Sequence, residues 1–285
     1  MRPKVGLVLG GGGSRGLAHI GVLKVFEREK IPVDYIVGTS MGSIVGISYA
    51  LGYKPDEIES YMSRLGKTNL LSLNVFSAKS RQKAVEERLK LVMKDKTFAD
   101  LQIPSVVMAV DMLSGKEEAL CEGELIPAIL ASSAVPAVFP PVIIDGKQLA
   151  DGGVIDSTAT APAYNMGAEV VIVVDVYPPL EQDGIWVDPI SATMGFELPF
   201  NVFGTDKTPG MVSSLWRSFR VMTWYTHEMR LKLHPPHVLL RPAVEGYGSL
   251  DFKDIQGPIQ AGVEEAEAHL EHIIACLNGE AGAPA

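Results

Sequence analysis

Two strand-glycine-helix units stand back to back in the first 51 residues, and they constrain the fold more than any other feature. Val5–Leu9 is a short, uninterrupted apolar run that ends in Gly10-Gly11-Gly12-Gly13-Ser14-Arg15-Gly16, the pattern of a buried strand. Leu17, Ile20, Val22, Leu23 and Phe26 then recur at helical spacing. Val33–Val37 predicts a second strand, the turn Gly38-Thr39-Ser40-Met41-Gly42 follows, and Ser43–Leu51 reads as a buried helix. Strands that alternate with helices in this way pair in parallel, because each crossover must pass over a face of the sheet. The alternation continues downstream. Pro55 opens a helix carrying Ile58, Met62 and Leu65, and Ala84–Met93 is amphipathic. Ile103–Val110, Val142–Ile144 and Val170–Val176 read as strands, and Gly257–Leu277 as a closing helix. The expected architecture is a mostly parallel sheet covered on both faces.

Composition excludes several alternatives. Lys and Arg number 25 against 34 Asp and Glu, a net charge of −9. A nucleic-acid partner is not expected, since such proteins usually carry a basic patch to neutralise phosphates. A whole-surface attraction to anionic lipid is excluded too, whereas a local patch is not. Cys121 and Cys276 are too few and too far apart for a disulfide framework or a zinc site. No His or carboxylate cluster at ligand spacing lies near the glycine motifs, so no metal and no other cofactor is expected. The apolar run Val5–Leu9 is shorter than a signal-peptide core, and no uncharged apolar stretch is long enough to span a bilayer. A cytoplasmic protein is expected. The 285 residues are read as one domain with an insertion at about 180–235. Eight of the 20 aromatics, including all three tryptophans, fall between Trp186 and Tyr225. Gly and Pro punctuate the first half of that segment, and Met211–Leu233 reads as a helix apolar over a wide arc, so a lid is expected there.

Three motifs carry the chemistry. The Gly10–Gly16 loop, between strand and helix, brings backbone N–H groups close to a phosphate or a developing oxyanion. A dinucleotide fold would instead want an acidic residue at the end of the second strand, but Asp34 stands at its beginning and Gly38-Thr39-Ser40 at its end. No Gly-Lys-Ser/Thr follows, which removes the nucleotide-hydrolase loop. Gly38-Thr39-Ser40-Met41-Gly42 is a G-x-S-x-G sequence in the strand-turn-helix context of a nucleophile elbow; the competing reading is a helix N-cap. Asp151-Gly152-Gly153 is by itself a turn sequence and gains meaning only as a partner for Ser40, whose hydroxyl needs a base. A histidine is the usual base, yet none of His19, His227, His234, His237, His269 and His272 sits in a recognisable catalytic sequence. His19 reads as a structural histidine. From the residues alone, a triad and a dyad both remain open.

In this order the three motifs resemble the patatin-like phospholipase family, and in particular its compact bacterial members. Gly16–Leu23 is similar to the family's first helix, and Ala131–Pro141 to its apolar, Pro-containing segment before the aspartate. The resemblance covers residues 4 to about 176. It implies a three-layer α/β/α sandwich and a Ser–Asp dyad, with Ser40 as nucleophile and Asp151 as base. Gly11, Gly12 and Gly13 would supply the oxyanion hole. Arg15 would fix that loop or add positive charge beside it, and Gly38, Gly42, Gly152 and Gly153 would support the motifs. The implied reaction is hydrolysis of a fatty-acyl ester of a lipid or lysolipid through an acyl-serine. Such a substrate would bring the protein into peripheral contact with the inner membrane surface. The alternative is a protein that keeps the fold for binding or regulation with little turnover.

Overall fold

The computed structural model describes residues 2–66, 77–136, 138–180, 204–205, 208–209 and 211–280. Much of the expected insertion, 181–203, lies outside the described residues. The strands are β1 (Val5–Leu9), β2 (Tyr35–Thr39), β3 (Ser105–Asp111), β4 (Glu117–Leu120), β5 (Val142–Ile144), β6 (Lys147–Asp151) and β7 (Val170–Val174). A two-residue pair, β8 (Gly204–Thr205) and β9 (Thr208–Pro209), stands apart, and β10 (Val238–Leu240) returns to the main sheet. The sheet order is β10-β7-β1-β2-β3-β6-β5, with β4 also on β3. The first five are parallel to one another, while β4, β5 and β6 run antiparallel to their partners.

β1, β3 and β7 are buried along their whole length, as strands covered on both faces must be. Alternate residues feed two cores. Leu7, Leu9, Ile172 and Val174 point to one face, with Leu17, Leu23 and Phe26 of the first helical segment. Val8, Val37, Met108, Val171 and Val173 point to the other, where Ala163 and Leu231 meet them. Fully burying a side chain of this size stabilises the fold by about 1.5–3 kcal/mol. The first layer holds α1 (Ala18–Glu29), α2 (Met41–Ala50) and α3 (Pro55–Gly66), together with α4 (Ala78–Met93), α5 (Leu125–Ser132), α8 (Gln256–Ala268) and α9 (Leu270–Leu277). The second holds α6 (Ala161–Asn165) and the C-terminal part of α7 (Met211–Leu233). The chain is thus an α/β/α sandwich with a mostly parallel sheet.

The expected single closing helix is two. His269, at φ −102 and ψ 5, breaks α8 from α9. α7 has the bounds its apolar pattern predicts. Among the described residues no helix is long and apolar enough to cross a membrane.

Candidate active site

The sheet register brings Ser40 and Asp151 together. β2 pairs with the first part of one edge of β3, ending at Thr39 opposite Met108. β4 pairs with Val107–Val110 and occupies the other edge. β6 must therefore share the edge used by β2, and its last residue, Asp151, pairs with Ala109. Running towards each other, β2 and β6 end at neighbouring positions of β3. Ser40 follows the end of one and Asp151 closes the other.

Ser40 has φ 52 and ψ −120, between β2 and α2. A non-glycine residue held there costs on the order of 1–3 kcal/mol and needs its surroundings to enforce it. Here they do. The Ser40 N–H donates to Ser132 Oγ at 2.8 Å. The Ser40 carbonyl accepts from Ser43 N at 2.9 Å and from Ser43 Oγ at 2.6 Å. The turn is too tight for larger neighbours: a Cβ on Gly42 would collide with the Leu9 carbonyl, and one on Gly38 would lie 2.6 Å from Ser43 Cα.

Asp151 faces the Ser40 side chain, whose proximity favours the charged carboxylate, and Gly153 N donates to its Oδ1 at 2.8 Å. Ser40 is 7% and Asp151 6% exposed. Burial pushes the carboxyl up to about 6, against the opposite effect of Gly153 N and the Ser40 side chain. Desolvation of the charged form outweighs the stabilisation that these neighbours provide.

The glycine loop runs beside Ser40: a Cβ on Gly11 would stand 3.4 Å from Ser40 Cβ. Several of its N–H groups already have acceptors. Gly10 donates to Val174 O at 3.0 Å, Gly11 to Ser157 O at 3.1 Å and Ser14 to Ser249 O at 2.7 Å. The N–H groups of Gly12 and Gly13 have no such backbone partner among the described residues. Arg15 is buried and its Nε donates to Tyr247 O at 2.7 Å, while Ser14 Oγ donates to Gly248 O at 2.6 Å. These bonds strap the loop to 247–249. Burial, with nearby Arg220 adding to it, lowers the Arg15 guanidinium to about 10, so it stays charged at neutral pH.

Among the described residues no histidine is hydrogen-bonded to Ser40 or Asp151. His19 is fully buried, with Nε2 2.8 Å from the Gly10 carbonyl and Nδ1 without a partner. Burial lowers it to about 4, so it is neutral and donates to Gly10. His227 lies against Asp175 at 3.0 Å. These two and Glu228 bring ligand atoms within 4.8 Å of one another. The Arg241 guanidinium already fills that space, at 3.0 Å from Asp175 Oδ2 and 2.6 Å from Glu228 Oε1. A cation would meet it directly.

Sequence reasoning overlooked Ser132 and Ser157. Ser132 is fully buried at the end of α5, where Ser132-Ser133 interrupts an apolar stretch. Ser157 Oγ donates to Gly11 O at 3.0 Å, which completes a two-way clasp on the loop. The Ser132-Ser133 pair inside an apolar run is the one signal that marks Ser132, because a buried hydroxyl must find a partner.

The family model for patatin-like phospholipase matches residues 7–164. The chain is 28% identical over 279 residues to lysophospholipase nte1 of Aspergillus fumigatus, covering 94% of this chain and 18% of that protein. It is 34% identical over 178 residues to an uncharacterised NTE family protein of Mycobacterium bovis, covering 61% of this chain and 49% of that one. The chain thus spans under a fifth of the length of the fungal relative. Among solved structures it is similar to VipD from Legionella pneumophila, with a TM-score of 0.46 and 13% identity over 96% of this chain and 75% of that one. It is also similar to human GIVD cytosolic phospholipase A2, with a TM-score of 0.43 and 12% identity over 98% of this chain and 59% of that one.

Proposed function

Because this chain belongs to the patatin-like phospholipase family, we propose that it is a serine hydrolase of fatty-acyl esters, acting through Ser40 and Asp151 without a histidine. The observation that carries the reading is the Ser40 hydroxyl, held at a strained elbow and set beside a buried carboxylate by the sheet register. With a pKa of about 6, Asp151 is about nine-tenths ionised at neutral pH, yet a stronger base than an ordinary aspartate.

Asp151 takes the Ser40 proton as Oγ attacks the ester carbonyl. The tetrahedral oxyanion then faces the N–H groups of Gly12 and Gly13, fixed before the reaction by the bonds that hold their neighbours. Gly11 is left out of this hole because its N–H is engaged by Ser157. Collapse breaks the ester bond, and protonated Asp151 returns the proton to the departing alkoxide. Water next attacks acyl-Ser40 with Asp151 again as base, releasing the fatty acid and restoring the serine. Arg15 acts by holding the loop, since its Nε is bonded to Tyr247 O. The names of the fungal relatives favour single-chain phospholipids as substrates.

The test is hydrolysis of a lysophospholipid by wild type, Ser40→Ala and Asp151→Asn, with circular dichroism to establish that each is folded. Both variants should lose activity, Asp151→Asn by about 10²–10⁴-fold. Substantial turnover by folded Ser40→Ala removes the nucleophile assignment. A wild type without turnover on any acyl ester leaves a binding or regulatory protein.

A further inference from the structure

Ser40 and Asp151 are tied by their backbones to one short segment, the stretch where α5 ends. The Ser40 N–H donates to Ser132 Oγ at 2.8 Å, and the Asp151 N–H donates to Ala134 O at 3.1 Å. Ser132 is the last residue of α5, and Ala134 lies two residues beyond it. The helix uses its own last carbonyls locally: Ile129 O accepts from Ser133 N, and Ala131 O from Ala134 N. The Ala134 carbonyl, past the helix, is left for Asp151. A displacement of residues 132–134 would therefore move nucleophile and base together or apart.

This segment is held from outside by its carbonyls. Pro136, Pro140 and Pro141 have no N–H to donate. The N–H groups of Val138 and Phe139 both close onto Val135 O, at 3.0 and 2.9 Å, so a pull on Val138 is felt beside Ala134. Two carbonyls reach α4. Arg81 donates from Nη2 to Val138 O at 2.7 Å, and Gln82 from Nε2 to Pro140 O at 2.9 Å. Arg81 is only 8% exposed. A buried guanidinium is costly unless it is well hydrogen-bonded, and a charged donor binds a carbonyl more strongly than a neutral one does. Further along the same helix, Leu89 and Met93 sit in the main core. Docking of α4 and its hold on the segment are thus carried by different residues.

We propose that Arg81, with Gln82 beside it, is a positioning residue for the hydrolase: it fixes the segment after α5 and, through Ser132 and Ala134, sets Ser40 and Asp151 relative to each other. Transfer of the Ser40 proton to the carboxylate tolerates little displacement, and a misplacement of about 1 Å can cost on the order of 10²-fold in rate. The role in turnover rests on the Ser40–Asp151 reading; the restraint on the two amides does not.

The experiment compares Arg81→Met, Arg81→Lys, Gln82→Met and Leu89→Ala in the full chain, with circular dichroism to establish folding. Arg81→Met keeps an unbranched apolar stem and removes the donors. Leu89→Ala loosens the same helix from the core and leaves both donors in place. Two quantities are measured: steady-state hydrolysis of a lysophospholipid, and amide hydrogen exchange of the peptides that contain Ser40 and Asp151. Arg81→Met should lower kcat by about 10–100-fold with KM nearly unchanged and speed exchange at both amides. Arg81→Lys, which keeps a charged donor, should recover most of kcat, and Gln82→Met should show a smaller loss of the same kind. Leu89→Ala should lose stability with kcat near that of wild type. The inference is overturned if folded Arg81→Met keeps wild-type kcat, or if Leu89→Ala lowers kcat as much as Arg81→Met does. Should Arg81→Met not fold, wild-type kcat and exchange in Gln82→Met overturn it. If wild type turns over no acyl ester, the catalytic reading falls separately, and unchanged exchange in the Arg81 variants overturns this one.

Discussion

Replacing Asp151 by asparagine should make the protein more stable while removing its activity, and the gain should depend on pH in a defined direction. Burial raises the Asp151 carboxyl from 3.8 to about 6 in the fold. A raised carboxyl pKa means that the native state binds its proton more tightly than the unfolded chain does. Stability is therefore lost as pH rises from about 4 through about 6. The difference of about two pKa units corresponds to roughly 3 kcal/mol of destabilisation at pH 8. An asparagine in its place would carry no charge to desolvate, and the amide oxygen could still accept from Gly153 N. Urea denaturation of both proteins, followed by far-ultraviolet circular dichroism, should show Asp151→Asn ahead by up to about 3 kcal/mol at pH 8. The two should converge near pH 3, below both pKa values, where the aspartate is protonated in the fold and largely so in the unfolded chain. A difference that stays constant between pH 4 and 8, or an aspartate form that is the more stable at pH 8, would refute the claim that Asp151 is a buried charge held for chemistry.

The same shift sets the pH dependence of the reaction: kcat/KM should rise with pH along a limb centred near 6, and a limb near 4 would mean that Asp151 is not the base. Ser132→Ala leaves the buried Ser40 N–H without its acceptor. It should cost about 1–3 kcal/mol of stability and lower kcat with KM nearly unchanged, and an unaltered kcat would show that Ser132 does not hold the elbow. Glutamine at each of the six histidine positions in turn should leave far more activity than Asp151→Asn; a folded histidine variant as inactive as Asp151→Asn would restore a triad.

What could be read from the residues depends on where the local signals are strong. Continuous apolar runs such as Val5–Leu9 and Val170–Val174 mark strands buried on both faces, because nothing else tolerates them at that length. The glycines around Ser40 mark a turn that only small residues can make, and α7 is legible over its full span from its apolar arc. The antiparallel edge is legible only at β5, whose Val142–Ile144 run reads as a strand. Lys147–Asp151 is half polar, its first two residues are exposed, and its pairing with β3 depends on register across some 40 residues of chain. β10 is three residues long and exists as a strand only because β7 offers it an edge. The join between α8 and α9 depends on the backbone at His269, where the helical pattern alone shows no break. At the site, the pair Ser40 and Asp151 could be named from motifs, but the Ser132 and Ser157 hydrogen bonds are tertiary contacts between distant segments. The Asp175–His227–Arg241 cluster is invisible in the sequence for the same reason.

The central claim is that Ser40 forms a covalent bond during the reaction. A fluorophosphonate transfers its phosphonyl group to an activated serine with loss of fluoride, which leaves a stable mass on one peptide. Intact-mass and peptide mass spectrometry of the treated protein should show one adduct, located at Ser40, and nearly none in Asp151→Asn, where the base is missing. An adduct on a different serine, or equal labelling of wild type and Asp151→Asn at Ser40, would contradict the account.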